Sequence, residues 1–221
     1  MPILRHQKSH NYFYVMVSKK YLSQTVLIII STVCIYANCR KPRNCAQTSY
    51  SFEIGARAFP DLDSIRVGDT LWIEINEPVT QQDANTNSGI NFSGAANLGT
   101  VIGFIELKGN RQSADAANDF DLKLISGTYV GMSTIPSLFR EYFFAEENTS
   151  YTLRLAVIPK KTGIYRISLS DAANVYRKNE ECTKAFFRLN FENTNQHLYF
   201  NEQNFGVVVA LPNNGYCFKV K

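Results

Sequence analysis

Apolar and polar residues alternate with a period of two along most of the chain after residue 50. The segment 51–58 (Ser-Phe-Glu-Ile-Gly-Ala-Arg-Ala) is a clear example. Successive side chains of a β-strand point to opposite faces, so this pattern predicts strands with one buried face and one solvent-facing face. The same pattern predicts further strands at 71–76, 101–107, 120–124, 151–157, 165–169, 185–191 and 216–220.

Turn residues separate these predicted strands. The segment 159–163 (Pro-Lys-Lys-Thr-Gly) predicts a hairpin that joins 151–158 to 164–169. About eight or nine strands at such spacing predict an all-β fold, an antiparallel β-sandwich, with a closed barrel as the alternative. At most one short helix is expected, at 136–142, because Pro136 would stand at an early helical position.

The N-terminal region has the pattern of an export signal. An apolar run of 11 residues, 26–36, follows Lys19 and Lys20 and is followed closely by Cys39. A bilayer-spanning helix needs about 20 apolar residues, whereas the apolar part of a signal peptide needs about 7–15. We therefore predict a signal peptide with lipid attachment at Cys39. A cleaved secretory signal that ends near Ala37 and an uncleaved anchor are the alternatives.

These features predict the domain organisation. Residues 1–38 would be an N-terminal extension and signal peptide, 39–49 a tether, and 50–221 a single β-sandwich domain. Met16 would begin a better-proportioned signal than Met1 does, so either could be the true start.

The formal net charge of +4 lies in the targeting segment. Residues 1–38 hold four of the 23 basic residues and no acidic residue, so 19 basic residues face 19 acidic residues in the rest. A nucleic-acid-binding domain should keep a basic surface, so no nucleic-acid partner is expected.

Catalytic candidates are few. His197 is the only histidine after the predicted signal, and no Gly-x-Ser-x-Gly motif accompanies it, so we expect a surface or hydrogen-bonded histidine. Glu74 and Glu77 are three residues apart and would begin on opposite faces of a strand, which is poor geometry for a shared cleft. We predict no catalytic residue, no cofactor and no enzymatic activity, with a carboxylate-dependent glycan hydrolase as the alternative.

Two groups of residues are candidates for binding. Trp72 has the parity opposite to its apolar neighbours, so it would face outward beside Glu74, as a sugar-stacking platform requires. We favour the other interpretation, in which a second layer or the N-terminal strand covers Trp72, because large aromatic side chains are usually substantially buried. Asp115, Asp119 and Asp121 supply oxygen ligands of the kind that calcium prefers, although their spacing does not match an EF-hand loop.

The cysteines suit an oxidising compartment. If Cys34 is removed with the signal and Cys39 is lipidated, Cys45, Cys182 and Cys217 remain, which allows one disulfide and one free thiol. Three pairings are possible. We favour Cys45–Cys182, with Cys217 buried in its strand.

Three segments carry a resemblance to known proteins. The segment 67–75 (Val-Gly-Asp-Thr-Leu-Trp-Ile-Glu-Ile) resembles an early strand of immunoglobulin-like domains in secreted bacterial proteins. Together with 97–104 and 182–187, it makes the chain resemble an uncharacterised family of small bacterial envelope lipoproteins. The resemblance implies an immunoglobulin-like β-sandwich and an envelope address. It supplies no catalytic residues.

These observations together predict a non-enzymatic envelope lipoprotein, a binding or structural module for a protein or a glycan. Its lipid anchor would hold it to a membrane. Arg40 follows Cys39, in place of the Asp associated with inner-membrane retention, so we expect outer-membrane attachment facing the periplasm. Secretion is the alternative.

Overall fold

The computed structural model describes residues 45–110, 112–131, 139–205 and 213–221. The predicted signal peptide, Cys39 and most of the predicted tether lie outside these residues. The chain separates into two units, Met1–Cys45 and Ala46–Lys221, and the fold is that of the second unit. Its first strand begins at Thr48.

Strands dominate the described residues, which contain 17 strands, nine of them with six or more residues. The strands are β1 (Thr48–Phe59), β2 (Ser64–Ile65), β3 (Leu71–Pro78), β4 (Thr80–Gln82), β5 (Gly89–Asn91), β6 (Ala95–Ala96), β7 (Gly99–Gly109), β8 (Gln112–Asp115), β9 (Phe120–Ser126), β10 (Thr128–Gly131), β11 (Phe139–Phe143), β12 (Ala145–Glu147), β13 (Ser150–Pro159), β14 (Gly163–Leu169), β15 (Ala172–Arg177), β16 (Glu180–Phe191) and β17 (Gly215–Val220). A 3-10 helix spans Ala117–Asp119, and one α-helix, α1, spans Tyr199–Phe205.

The strands form two main sheets. The first sheet has the order β12–β13–β3–β1–β16–β15–β6, and β9 also pairs with β13. The second sheet has the order β10–β11–β7–β14–β17–β2, and β8 also pairs with β7, while β4 and β5 form a separate ribbon. Only two of these strand pairs, β1 with β16 and β2 with β17, are parallel. The predicted all-β sandwich is confirmed.

One apolar core joins the two sheets. Phe52 and Ile54 of β1 and Phe187 of β16 enter it from the first sheet, and Phe104 of β7 and Tyr165 of β14 enter it from the second. All five side chains are fully buried. The alternation in the sequence therefore marks the inward-facing positions of each strand.

The position predicted for the helix is wrong. In the part of 136–142 that the structure describes, Phe139–Phe143 form β11, which pairs along its length with β7. The backbone hydrogen bonds offered by β7 outweigh the weak local preference that Pro136 expresses.

The predicted hairpin between 151–158 and 164–169 is also wrong. Both segments are strands, but β13 belongs to the first sheet and β14 to the second. The turn at 159–163 therefore carries the chain from one sheet to the other.

The outer face of the second sheet is partly covered by α1. Phe200 packs with Leu107 of β7 and Cys217 of β17 in a small second cluster. Within the described ranges, no helix is long and apolar enough to cross a membrane.

Candidate functional site

The outer face of the first sheet, which points away from the core, carries charged and aromatic side chains. The strand register sets Phe59 of β1 opposite Trp72 of β3. In the next row it sets Arg57 opposite Glu74, which in turn lies opposite Arg154 of β13. Neighbouring side chains in such rows are close enough to interact. An aromatic row thus lies beside a row of alternating charge.

Trp72 occupies the outward position that its parity predicts, since Leu71 and Ile73 on either side are fully buried. Its ring stacks on that of Phe59, with 6.2 Å between the centroids and 18° between the planes. The Arg154 guanidinium lies over the Trp72 ring, 4.6 Å from its centroid. Trp72 is half-buried by these two neighbours. One arginine and one aromatic ring provide its cover.

Two cavities open beside these rows, and both are lined by Arg57, Glu74 and Glu192. The larger, about 530 Å³, is also lined by Ala58, Phe59, Asp61, Asn193 and Thr194. The smaller, about 160 Å³, is also lined by Gly55, Asn76 and Glu77. Because they share three side chains, we treat them as one depression, the outer groove.

The segment after β16 forms one wall of the outer groove. Asn193 pairs with β1 as a strand would: its Oδ1 accepts from the Ala58 amide and its Nδ2 donates to the Ala58 carbonyl, both at 2.8 Å. Glu192 lies over Gly55, where a Cβ would stand 2.0 Å from the Glu192 Oε1. The Arg57 Nε donates to the Glu192 Oε2 at 3.0 Å. Gly55 therefore makes room for a carboxylate in the groove.

Glu74 and Glu77 were expected to have poor geometry for a shared cleft, but both line the smaller cavity. The β1–β3 register ends at Ala56 and Ile75, so no residue of β1 lies opposite Glu77, which pairs with Tyr151 of β13 on its other side.

Burial raises the pKa of Glu77, and the nearby Glu192 carboxylate raises it further. Hydrogen bonds from Gly55 and Gln81 and the charge of Arg57 oppose this shift without cancelling it. A half-buried carboxyl with a raised pKa, next to other carboxylates in a cleft, is typical of functional sites.

His197 is buried, with 5% of its surface exposed, and packs edge-on against Tyr216 and Tyr199. Its Nε2 lies 3.4 Å from the Asp61 Oδ1, but neither ring nitrogen has a hydrogen-bond partner among the described residues. The expectation of a surface or hydrogen-bonded histidine is therefore wrong. Packing by two tyrosines explains its burial.

The three aspartates predicted as calcium ligands each have their own partner. The Asp115 carboxylate accepts from the Ala117 amide at 3.0 Å. Asp119 lies 3.3 Å from the Lys161 ammonium, and Asp121 lies 3.1 Å from the Lys160 ammonium. No group of three His, Cys, Asp or Glu residues in the described part of the chain is arranged to hold a metal ion. The geometry gives the calcium prediction no support.

Asp83 has a structural role in the loop after β4. Its carboxylate accepts from the Ser51 amide at 2.9 Å and from the amide and hydroxyl of Thr86 at 3.1 and 2.7 Å. These bonds, led by that from Ser51, lower the pKa of Asp83. The loop is thereby tied to β1.

Cys45 and Cys182 are both disulfide-bonded, and Cys217 is free. The Cys45–Cys182 pairing stays a prediction. Cys217 is fully buried in β17, as expected, and burial raises the pKa of its thiol to about 12.

The sequence pattern indicated Trp72 and Glu74 as binding candidates, but not Arg57, Phe59, Asp61 or Glu192, which line the outer groove with Glu74. Arg57 and Glu192 are 135 residues apart and meet only because β1 and β16 pair in parallel. No local pattern signals such a meeting, since it depends on which strands become neighbours.

No protein-family model matches the sequence, and no curated protein matches it. Among solved structures, the chain is similar to the reeler domain of human F-spondin, with 9% identity and a TM-score of 0.36 over 83% of this chain and 100% of that one. A structure of the Reelin-N domain of F-spondin gives 7% identity and a TM-score of 0.36 over 79% and 92%. A type II cohesin domain from the cellulosome of Acetivibrio cellulolyticus gives 12% and 0.24 over 64% and 92%. Likenesses this distant carry no argument about function.

Proposed function

We propose that this chain is an exported envelope protein whose sandwich binds a ligand through the outer groove, without catalysing a reaction. The observation that carries the proposal is the groove itself, in which Phe59, stacked on Trp72, stands beside charged side chains of the sheet. Its larger cavity, about 530 Å³, falls within the range of about 300–1,000 Å³ common for ligand sites. Sites built on strands hold their side chains more precisely than sites on loops do.

A lipid anchor at Cys39 and outer-membrane attachment facing the periplasm are part of the proposal. The apolar run 26–36 and the position of Cys39 support it. Disulfide-bonded Cys45 and Cys182 are consistent with an oxidising compartment. Membership of the family of small bacterial envelope lipoproteins would agree with this address.

The address is tested by mass spectrometry of the mature N-terminus. We expect a lipid-modified Cys39 at that terminus and recovery in the outer-membrane fraction. Cys39→Ala should abolish the modification, whereas Cys34→Ala, inside the apolar run, should leave it intact. An unmodified terminus beyond Cys39 would show secretion without an anchor.

The binding role is tested by site-specific photo-crosslinking in intact cells. A photo-reactive residue at Thr194, which is exposed and lines the groove, should capture an envelope component. The same residue at Val130, which is 44% exposed and lies in β10 of the second sheet, is the matched control. Equal capture at both positions, or none at Thr194, would count against the groove.

Glycan hydrolysis is the second candidate, because Glu77 and two other carboxylates line one cleft and Glu77 has a raised pKa. A glycosidase needs one carboxyl that stays protonated and one that is ionised. Incubating the exported protein with envelope glycan and assaying reducing ends separates the candidates. Product formation that Glu77→Gln abolishes would support hydrolysis, and binding without product would support the binding module.

A further inference from the structure

We infer that the outer groove selects ligands that carry an organic cation, an ammonium or guanidinium group, over neutral or anionic ligands. This inference rests on the proposed function, because it names the ligand class of the same groove. Three features support it: the excess of negative charge in the groove, the aromatic row, and an arginine of the chain that already lies over that row.

Negative charge exceeds positive charge in the groove. Among its lining residues Arg57 is the one cation, and the carboxylates are Asp61, Glu74, Glu77 and Glu192. Arg154, the cation in the next strand, still leaves two carboxylates in excess when all are ionised. Attraction between exposed charges is screened by solvent, but a partly enclosed groove screens them less.

The two ion pairs in the groove do not remove this excess. Arg57 contacts Glu192 at 3.0 Å, yet its side chain is 73% exposed. Arg154 approaches Glu74 at 3.7 Å. Glu77 forms no ion pair with any described residue, and the raised pKa shows that its surroundings oppose its ionisation. A bound cation would lower the pKa of Glu77, because an opposite charge nearby favours the ionised carboxylate.

The aromatic row shows how a cation fits. The Arg154 guanidinium lies over Trp72 at 4.6 Å from the centroid, with Glu74 beside it. Phe59 stacks against Trp72 and also lines the larger cavity, together with Asp61 and Glu192. The larger cavity therefore offers the same combination, an aromatic ring with carboxylates around it, and no arginine of the described residues lies over that ring.

Two sources could supply such a cation: an amino sugar, or a lysine or arginine side chain of a protein. The shared chemistry is the cation, and the probes separate the sources. Calorimetry would measure binding of a glucosamine tetramer, its neutral N-acetylated counterpart, a lysine- and arginine-containing peptide, and the same peptide with glutamine at those positions. The protein would be purified from cells that express and export the full chain.

We expect at least one cationic probe to bind about tenfold more tightly than its neutral counterpart. Glu192→Gln and Glu77→Gln should each weaken it about threefold to tenfold, and salt should weaken it further. Glu53→Gln is the matched control, since Glu53 lies on the same face of β1 and pairs with Arg188 at 3.4 Å, away from the groove. It should leave the affinity unchanged.

Binding of a cation beside Glu77 should also change the protonation of this carboxyl, which gives a second measurement. A cation beside Glu77 lowers its pKa, so binding near the raised pKa should release protons. Calorimetry in buffers of different ionisation enthalpy detects this release, and Glu77→Gln should reduce it. A merely structural Glu77 would not produce it.

Equal affinity for the charged and neutral probes would overturn the inference and leave the proposed function standing. The same holds if Glu53→Gln weakens binding of the cationic probe as much as Glu192→Gln and Glu77→Gln do. Failure of both cationic probes would also overturn it. The proposed function fails separately, if the photo-reactive residue at Thr194 captures nothing. A preference confined to the tetramer or to the peptide would support the inference and identify the source.

Discussion

Replacing Phe187 with alanine should destabilise the sandwich far more than the same replacement at Phe186. Phe187 is fully buried, and its ring centroid lies 5.1 Å from that of Phe52, 5.6 Å from Phe92 and 6.3 Å from Tyr151. Phe186 is its neighbour in β16, points to the outer face and is partly exposed. The pair is matched in chemistry and differs in the face of the sheet.

The magnitude follows from these contacts. Truncation of a buried phenylalanine to alanine costs about 3–5 kcal/mol. Aromatic pairs contribute about 0.5–1.5 kcal/mol beyond the buried area, and Phe187 has three, which favours the upper end. We expect a loss of about 5 kcal/mol for Phe187→Ala and about 1 kcal/mol for Phe186→Ala. Since domains are stable by about 5–15 kcal/mol, the first variant would be marginal.

Urea unfolding of the disulfide-intact protein, followed by the fluorescence of Trp72, measures both losses. Trp72 is the only tryptophan, so the signal reports on the first sheet. If Phe187→Ala does not fold, Phe187→Leu replaces it in the test. We expect this variant to lose about 1–1.5 kcal/mol of unfolding free energy. Equal losses at 186 and 187 would refute the assignment of faces to β16.

Four further predictions concern individual side chains. The pKa of Asp83 is lowered in the folded protein, so the ionised carboxylate stabilises the fold above the ordinary aspartate pKa, and this stabilisation is lost as pH falls through the folded pKa. Asp83→Asn should therefore lower the urea midpoint at pH 7 and make that midpoint less dependent on pH in the acid range. The raised pKa of Glu77 has the opposite effect on stability: the protonated carboxyl stabilises the fold below the ordinary glutamate pKa, and this stabilisation is lost as pH rises through the folded pKa. Glu77→Gln should therefore raise the midpoint at pH 7 and have no such effect at pH 3. The Cys217 thiol, buried and with its pKa raised to about 12, should react with iodoacetamide only after unfolding, as followed by mass spectrometry. Gly55→Ala should displace Glu192 from the groove and weaken binding of the cationic probe with little change in stability, because a flexible side chain can move aside. Rapid alkylation of Cys217 in the folded protein would contradict its burial. Unchanged affinity in Gly55→Ala would contradict the role of Glu192 in the groove. If the urea midpoints of Asp83→Asn and Glu77→Gln depended on pH in the same way, the two pKa shifts would be contradicted.

The strands were predictable from the sequence, and the reason is local. All eight segments with period-two alternation are strands, because burial of one face selects one parity over several residues. Parity also placed Trp72 on the outer face, and the apolar character of β17 indicated a buried Cys217. Each of these conclusions depends on residues within one strand.

The errors arose where tertiary contacts outweigh local preference. Pro136 suggested a helix, but Phe139–Phe143 pair with β7 and form a strand. The turn at 159–163 suggested a hairpin, but the partners available to β13 and β14 lie in different sheets. A turn sequence allows the chain to reverse without specifying which strand comes next to it.

By itself, the sequence determined the fold class, the strands and the face that each strand buries, because alternation is a property of consecutive residues. It also carries the pattern of an export signal. Only the tertiary structure decided which strands are neighbours. The parallel pairing of β1 and β16 brings Glu192 to Arg57 across 135 residues, and Glu77, beyond the end of the β1–β3 register, lines the same cavity. Strand pairing is set by the packing of the whole core, and so the outer groove exists only after the sheet has formed.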